Sequence, residues 1–135
     1  MKLDYNFIKK ILITMEEYEK HEISLYPLLH ELKIMSIDNK IDEELIDKFL
    51  GHIKILGDGY YIECSNDEYG FMKTCDEYAI VNADFRITAQ GYEFLDVLKK
   101  DNIFNQIADL AVPTAFKIGT QLLTQTLWEK IKNGI

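Results

Sequence analysis

Three histidines, His21, His30 and His52, and two cysteines, Cys64 and Cys75, are the side chains that, with nearby acids, could be imagined as zinc ligands. Zinc sites draw on closely spaced pairs of such residues on a turn or helix. Here the cysteines lie eleven positions apart and no two histidines stand within one helical turn of each other. That spacing predicts no metal centre, with buried or half-buried thiols and surface histidines. Nucleophilic catalysis needs a serine or cysteine with a positioned base, and the chain has no Gly-x-Ser-x-Gly elbow. No glycine-rich phosphate loop precedes a helix; GDG at Gly57 to Gly59 reads as a turn. Asp67, Glu68, Asp76 and Glu77 are dense but lack the spacing of a calcium loop. The expectation is a non-enzymatic protein without a cofactor.

Carboxylates dominate the charge. Asp and Glu number 23 against 15 Lys and Arg, a formal net charge of −8, and Arg86 is the only arginine. DNA-binding proteins gain affinity by neutralising phosphates with cations, so duplex binding here would need a local basic face. At 135 residues, 47% hydrophobic, the chain suits one domain with a modest core. MKLDYNFIKK has neither a long apolar run nor a cleavage site. The most apolar region, Ile103 to Leu127, is broken by Asp109, Pro113 and Lys117, so no stretch reaches the ~18 residues of a membrane helix. A cytoplasmic protein with no membrane partner is expected.

The elements that must position these residues follow from periodicity. Leu3, Phe7, Ile8, Ile11, Leu12, Met15 and Tyr18 recur at helical spacing behind Asp4, a capping residue. Ile23 to Leu25 reads as a short strand, and a short helix follows from Pro27. Asp42 caps the next helix, with Ile41 and Ile46 as a hydrophobic staple. Leu45, Ile46, Phe49, Leu50, Ile53 and Leu56 form its apolar face, and Gly57 is placed to end it in the left-handed conformation. A hairpin is expected between Tyr60 and Thr88, with SNDEYG as a turn or short extra strand. Thr88 caps a further helix whose Tyr92, Leu95 and Leu98 should face inward. Gly91 in its first turn costs ~1 kcal/mol of helix propensity relative to alanine, which makes sense if the helix starts close against the hairpin. Asp101-Asn102 interrupts, Ile103 to Ala111 resumes, and Pro113 starts a final helix. This order predicts an α+β winged helix, a helix-turn-helix plus a β-hairpin wing. Residues 1–100 would form that domain and 101–135 a C-terminal helical extension for packing or dimerisation.

MKLDYNFIKKILITMEE, DEELIDKFLGHIKILGDGYYIE and ITAQGYEFLDVLKKDNIFNQI resemble a family of small proteins of bacteriophages and prophages known only as a domain of unknown function. Thr88, Gly91, Phe94, Leu95 and Asp96 match a Thr-x-x-Gly-x-x-Phe-Leu-Asp segment of that family. Its usual tryptophan before the glycine is Ala89 here, its histidine after it is Tyr92, and its downstream tryptophan is Phe104. The resemblance covers most of the chain and is weakest from His21 to Lys40. It implies a winged helix, a mobile-element origin and a bacterial host cell, and it carries no activity.

Two functions compete. A recognition helix would present Glu43, Glu44, Asp47 and Lys48 to base edges, and three of these four are acidic; only Lys54, Lys73 and Arg86 could help. A DNA-binding regulator of a mobile element is therefore the alternative. The favoured reading is protein binding, in which Glu43, Glu44, Asp47, Asp67, Glu68, Asp76 and Glu77, interleaved with Tyr60, Tyr61, Tyr69 and Tyr78, meet a basic host or phage protein. One form of this is an anti-CRISPR-like DNA mimic occupying the groove of a defence nuclease. The bland reading of the same residues is a solvated acidic surface and packing tyrosines. Finally, Phe116, Leu122, Leu123, Leu127 and Trp128 spread over neighbouring faces of the last helix and predict a homodimer interface.

Overall fold

Asp4 starts the first helix by accepting the Phe7 N–H on Oδ1 at 3.1 Å, satisfying one of the donors that a helix N-terminus leaves free. The computed structural model describes residues 1–75 and 77–132. Along them run α1 (Tyr5–Glu17), β1 (Ile23–Ser24), α2 (Leu25–Glu31), α3 (Glu43–Asp58), β2 (Ile62–Cys64), β3 (Phe71–Thr74), β4 (Glu77–Ile80), β5 (Asp84–Ile87), α4 (Ala89–Leu98), α5 (Asp101–Ile107) and α6 (Val112–Lys132). The fold is mixed α+β, with six helices and two small antiparallel sheets among the described residues.

The larger sheet has the order β1-β5-β2. Phe85 pairs with Ile23 on one side and Cys64 on the other, and Ile62 pairs with Ile87. The single hairpin expected from Tyr60 to Thr88 is instead two nested ones, because β3 and β4 form their own ribbon inside the β2–β5 connection. The run EYAIVNADFRIT, which reads as one strand, breaks at Asn82. Its φ of 89° is a left-handed value that asparagine tolerates better than most residues. Gly70, at φ 85°, accepts the Val81 N–H at 2.7 Å and closes the base of the inner ribbon.

Two local expectations need correction. Helix α3 does not stop at Gly57; it runs through to Asp58, and the left-handed residue is Tyr60, at φ 60°. Gly57 serves close approach instead, since a Cβ there would meet the ring and hydroxyl of Tyr69. Tyr92 does not face inward but is 46% exposed. The buried stripe of α4 is Gly91, Phe94, Leu95 and Leu98, spaced i, i+3, i+4, i+7, and residue 92 is turned ~100° from it.

The Thr88 junction is a dense node. Thr88 Oγ1 accepts from the Gly91 N–H at 3.0 Å and donates to the Tyr60 carbonyl at 2.6 Å, while the Thr88 N–H donates to the Tyr61 carbonyl at 3.1 Å. A Cβ at Gly91 would run into the same Tyr61 carbonyl oxygen and the Ile87 side chain. Helix α4 can thus begin directly on β2 and β5.

One hydrophobic cluster joins α1 to α4, and Ile103, Ile107, Val112 and Ala115 belong to it. Tyr5, buried against Phe94 and Phe104 edge-on, donates its hydroxyl to the Leu110 carbonyl at 2.6 Å. Burial holds its phenol up at about 12. Gly119 lets α6 approach Val97 of α4. No described helix is long and apolar enough to cross a membrane.

Candidate functional site

The solvent side of α3 is a line of carboxylates. Asp42 accepts the Leu45 N–H at 3.2 Å as N-cap, and Glu43 and Glu44 occupy the first turn, where negative charge meets the positive end of the helix dipole. Asp47 follows one turn on, then the small Gly51, then Lys54, then Asp58. Asp47 and Asp58 are eleven residues apart, about three helical turns, so they share a face roughly 16 Å long. Of its exposed charged residues, Glu43, Glu44, Asp47 and Asp58 are acidic and Lys54 is basic. Asp58 is missing from the expectation because a helix ended at Gly57 leaves it in a turn; the same periodicity carried one residue further includes it.

The inner ribbon touches this helix through two aromatic side chains. Phe71 of β3 is buried beside Phe49 of α3, with ring centroids 6.2 Å apart, and meets Tyr78 of β4 edge-on at 6.1 Å. Tyr78 reaches α3 and donates its hydroxyl to Asp47 Oδ1 at 3.3 Å. Burial, then the Asp47 carboxylate, pushes the Tyr78 phenol up. Glu77 is exposed beside it. At the other end of α3, Tyr69 stands against Gly57. Burial, then the charges of Asp58, Cys64 and Asp67, raises its phenol. Asp67 and Glu68 sit in the exposed turn that Asn66 organises by accepting the Glu68 N–H at 2.7 Å.

The expected acidic residues therefore fall at two ends of one ridge. Glu43, Asp47 and Glu77 lie near Tyr78, with Glu44 next to Glu43 in the first turn of α3, and Asp67 and Glu68 adjoin Tyr69. Asp76 lies outside the described residues. Of the four interleaved tyrosines, Tyr60 is exposed, Tyr69 and Tyr78 are half-buried, and Tyr61 is core, packed on Phe94 and Phe116.

Three of the four cations that could have offset this ridge are engaged. Lys48 Nζ donates to Asp4 Oδ2 at 2.7 Å and lies 4.8 Å from the Phe7 ring centre. Arg86 donates to Glu63 Oε2 at 2.7 Å, and Lys73 lies over the Tyr78 ring. Lys54 is exposed.

His52 is not at the surface, as its class would suggest, but fully buried on the inner side of α3, edge-on to Phe7 at 5.3 Å. Both ring nitrogens are used. The Asp4 N–H donates to Nε2 at 2.9 Å, and Nδ1 bonds the Lys48 carbonyl at 2.7 Å. Position 52 lies three residues from Phe49 on the apolar side, and that spacing was the signal for its burial. Cys64 is half-buried, which raises its thiol, and Cys75 is exposed. No group of three or more His, Cys, Asp and Glu able to hold a metal occurs among the described residues.

Of the expected dimer face, Phe116 packs on Tyr61 and Phe94, and Leu122 and Leu123 are half-buried against the same core. Leu127 and Trp128 are 55% and 67% exposed, with Ile131 beside them at 66%. What α6 leaves uncovered is its last turns.

No curated protein and no solved structure matches the chain significantly. The family described as Hypothetical protein (DUF2513) matches residues 2–117, a span that holds α1, the whole acidic ridge, the Thr88 junction and the start of α6; the chain belongs to that family.

Proposed function

We propose that this chain is a non-enzymatic winged-helix protein that works by binding another protein through the acidic ridge of α3 and the adjoining ribbon. The winged-helix reading is supported by the order α1, β1, α2, α3, strand, strand and by β1 pairing with the last strand of the sheet. The β3–β4 ribbon is then an elaboration of the wing. The phage or prophage setting rests on the sequence resemblance alone.

The observation that carries the binding reading is the charge of α3. The helix that would enter a DNA groove exposes four carboxylates and one lysine, and its other lysine, Lys48, is tied to Asp4. Such a face repels phosphates and attracts a basic surface. The partner that fits is a basic protein of the host or phage, among which nucleases and other nucleic-acid-handling proteins present grooves of the right sign. Blocking such a groove would make this chain an inhibitor in the manner of an anti-CRISPR.

The test is a pull-down from a bacterial lysate with identification of what is retained. A basic partner held by the wild-type chain and lost with Glu44→Lys plus Asp47→Lys is expected. Salt-sensitive binding to duplex DNA at near-physiological ionic strength, lost with Lys54→Ala, would replace this reading with that of a DNA-binding regulator.

A further inference from the structure

His52 has a defined tautomer. The Lys48 carbonyl can only accept, so Nδ1 carries the proton; the Asp4 N–H can only donate, so Nε2 is bare. The ring is fully buried, and adding a proton at Nε2 would set two donors against each other at 2.9 Å. Asp4 is the group that could respond. Its backbone donates to His52, its Oδ1 caps α1, and its Oδ2 holds Lys48. Two charged groups face the imidazole: the Asp4 carboxylate from the start of α1 and the Lys48 ammonium from α3. The third neighbour, the Phe7 ring, is uncharged.

We propose that Asp4, Lys48 and His52 form an acid-released latch between the start of α1 and α3. When His52 Nε2 takes up a proton, the Asp4 N–H loses its acceptor. The carboxylate of the same residue can accept the new N–H. Turning to it, the carboxylate gives up Lys48 and the cap of α1. Lys48 then adds a cation to the side of α3 that carries Glu44 and Asp47, opposing the charge on which partner binding rests in the reading above. The latch itself does not depend on that reading.

Burial, followed by the nearby Lys48 charge, opposes protonation, while the bond to the Lys48 carbonyl and the Asp4 charge favour it; the balance holds the imidazole below its ordinary 6.5. A depressed folded value means stability that is complete above 6.5 and is lost as pH falls through the folded value. Asp4 is ionised when the imidazole begins to take up its proton below 6.5, because its hydrogen bond from Lys48 holds its carboxyl below 3.8.

The experiment is a pH titration of the full chain by 15N NMR, following the His52 ring nitrogens and the Asp4 amide together. Expected are the Nδ1–H tautomer at neutral pH, a His52 midpoint below 6.5, and an Asp4 amide shift with the same midpoint. Lys48→Met keeps the backbone carbonyl and should raise that midpoint, and Asp4→Asn should lower it. A melting temperature that falls more steeply below pH 6.5 in the wild type than in His52→Gln would agree. An Nε2–H tautomer at neutral pH, or an Asp4 amide indifferent to the His52 titration, overturns the latch; either can be read on the wild type if His52→Gln does not fold.

Discussion

Replacing Gly91 by alanine should destabilise the protein, although every helix scale says the opposite. Ala at a helical glycine gains up to ~1 kcal/mol of propensity. The new methyl group, however, would collide with the Tyr61 carbonyl oxygen and press on Ile87 Cγ2. That carbonyl already accepts from the Thr88 N–H and belongs to the turn into β2, so it cannot swing aside like a side-chain tip. Overpacking of a fixed neighbour costs about 1–3 kcal/mol, more when backbone must shift. The expected net loss is about 1–2 kcal/mol, or roughly 3–8 °C in Tm for a domain of this size. Gly51→Ala supplies the control. It lies mid-helix in α3 and has the same propensity gain, but its Cβ would meet only the end of the Met1 side chain. It should be neutral or stabilising by up to ~1 kcal/mol. Urea unfolding of the three proteins gives the comparison, with the midpoint read at unchanged slope. A Gly91→Ala protein as stable as the wild type, or more so, would mean that α4 does not begin against the β2 backbone.

Phe49→Ala should cost about 3–5 kcal/mol, because Phe49 is fully buried and carries the contact to Phe71 that holds the inner ribbon; a loss under about 1 kcal/mol in the same urea assay would contradict that contact. The exposed end of α6 should pair two copies with isologous symmetry. Leu127→Asp with Trp128→Asp should then convert a dimer into a folded monomer by light scattering, and a monomeric wild type at tens of micromolar refutes the pairing.

Much of the frame was readable because its signals are local. Asp4, Asp42 and Thr88 each accept a backbone N–H three residues on, within the reach of a motif. Gly91 was readable too, since a glycine in a first turn asks for a close neighbour. What was not readable depends on distant groups. Tyr5 looks like a polar-edge residue until Leu110, far along the chain, accepts its hydroxyl. The burial of His52 is signalled by its spacing from Phe49, but the Asp4 N–H that makes this burial tolerable comes from a distant segment. The two nested ribbons were hidden because Asn82 is an ordinary residue in a run of strand formers, and only its backbone angle separates β4 from β5. The acidic ridge was read from composition along α3, and its division into two ends follows from which tyrosine each carboxylate meets.

The contact between Tyr5 and Leu110 also sets a timetable for synthesis. Helix α1 leaves the ribosome well before some of the groups it packs on: Phe94, Phe104 and the Leu110 carbonyl are made about a hundred residues later. Chains that must wait for such distant partners fold slowly and expose apolar surface meanwhile. Tyr5, at least, keeps its ring and hydroxyl without these partners until α4, α5 and Leu110 emerge. The nascent chain therefore completes its core only after Leu110 has been made, and a ribosome stalled before that point would display an unclosed α1 to the cell's quality-control machinery.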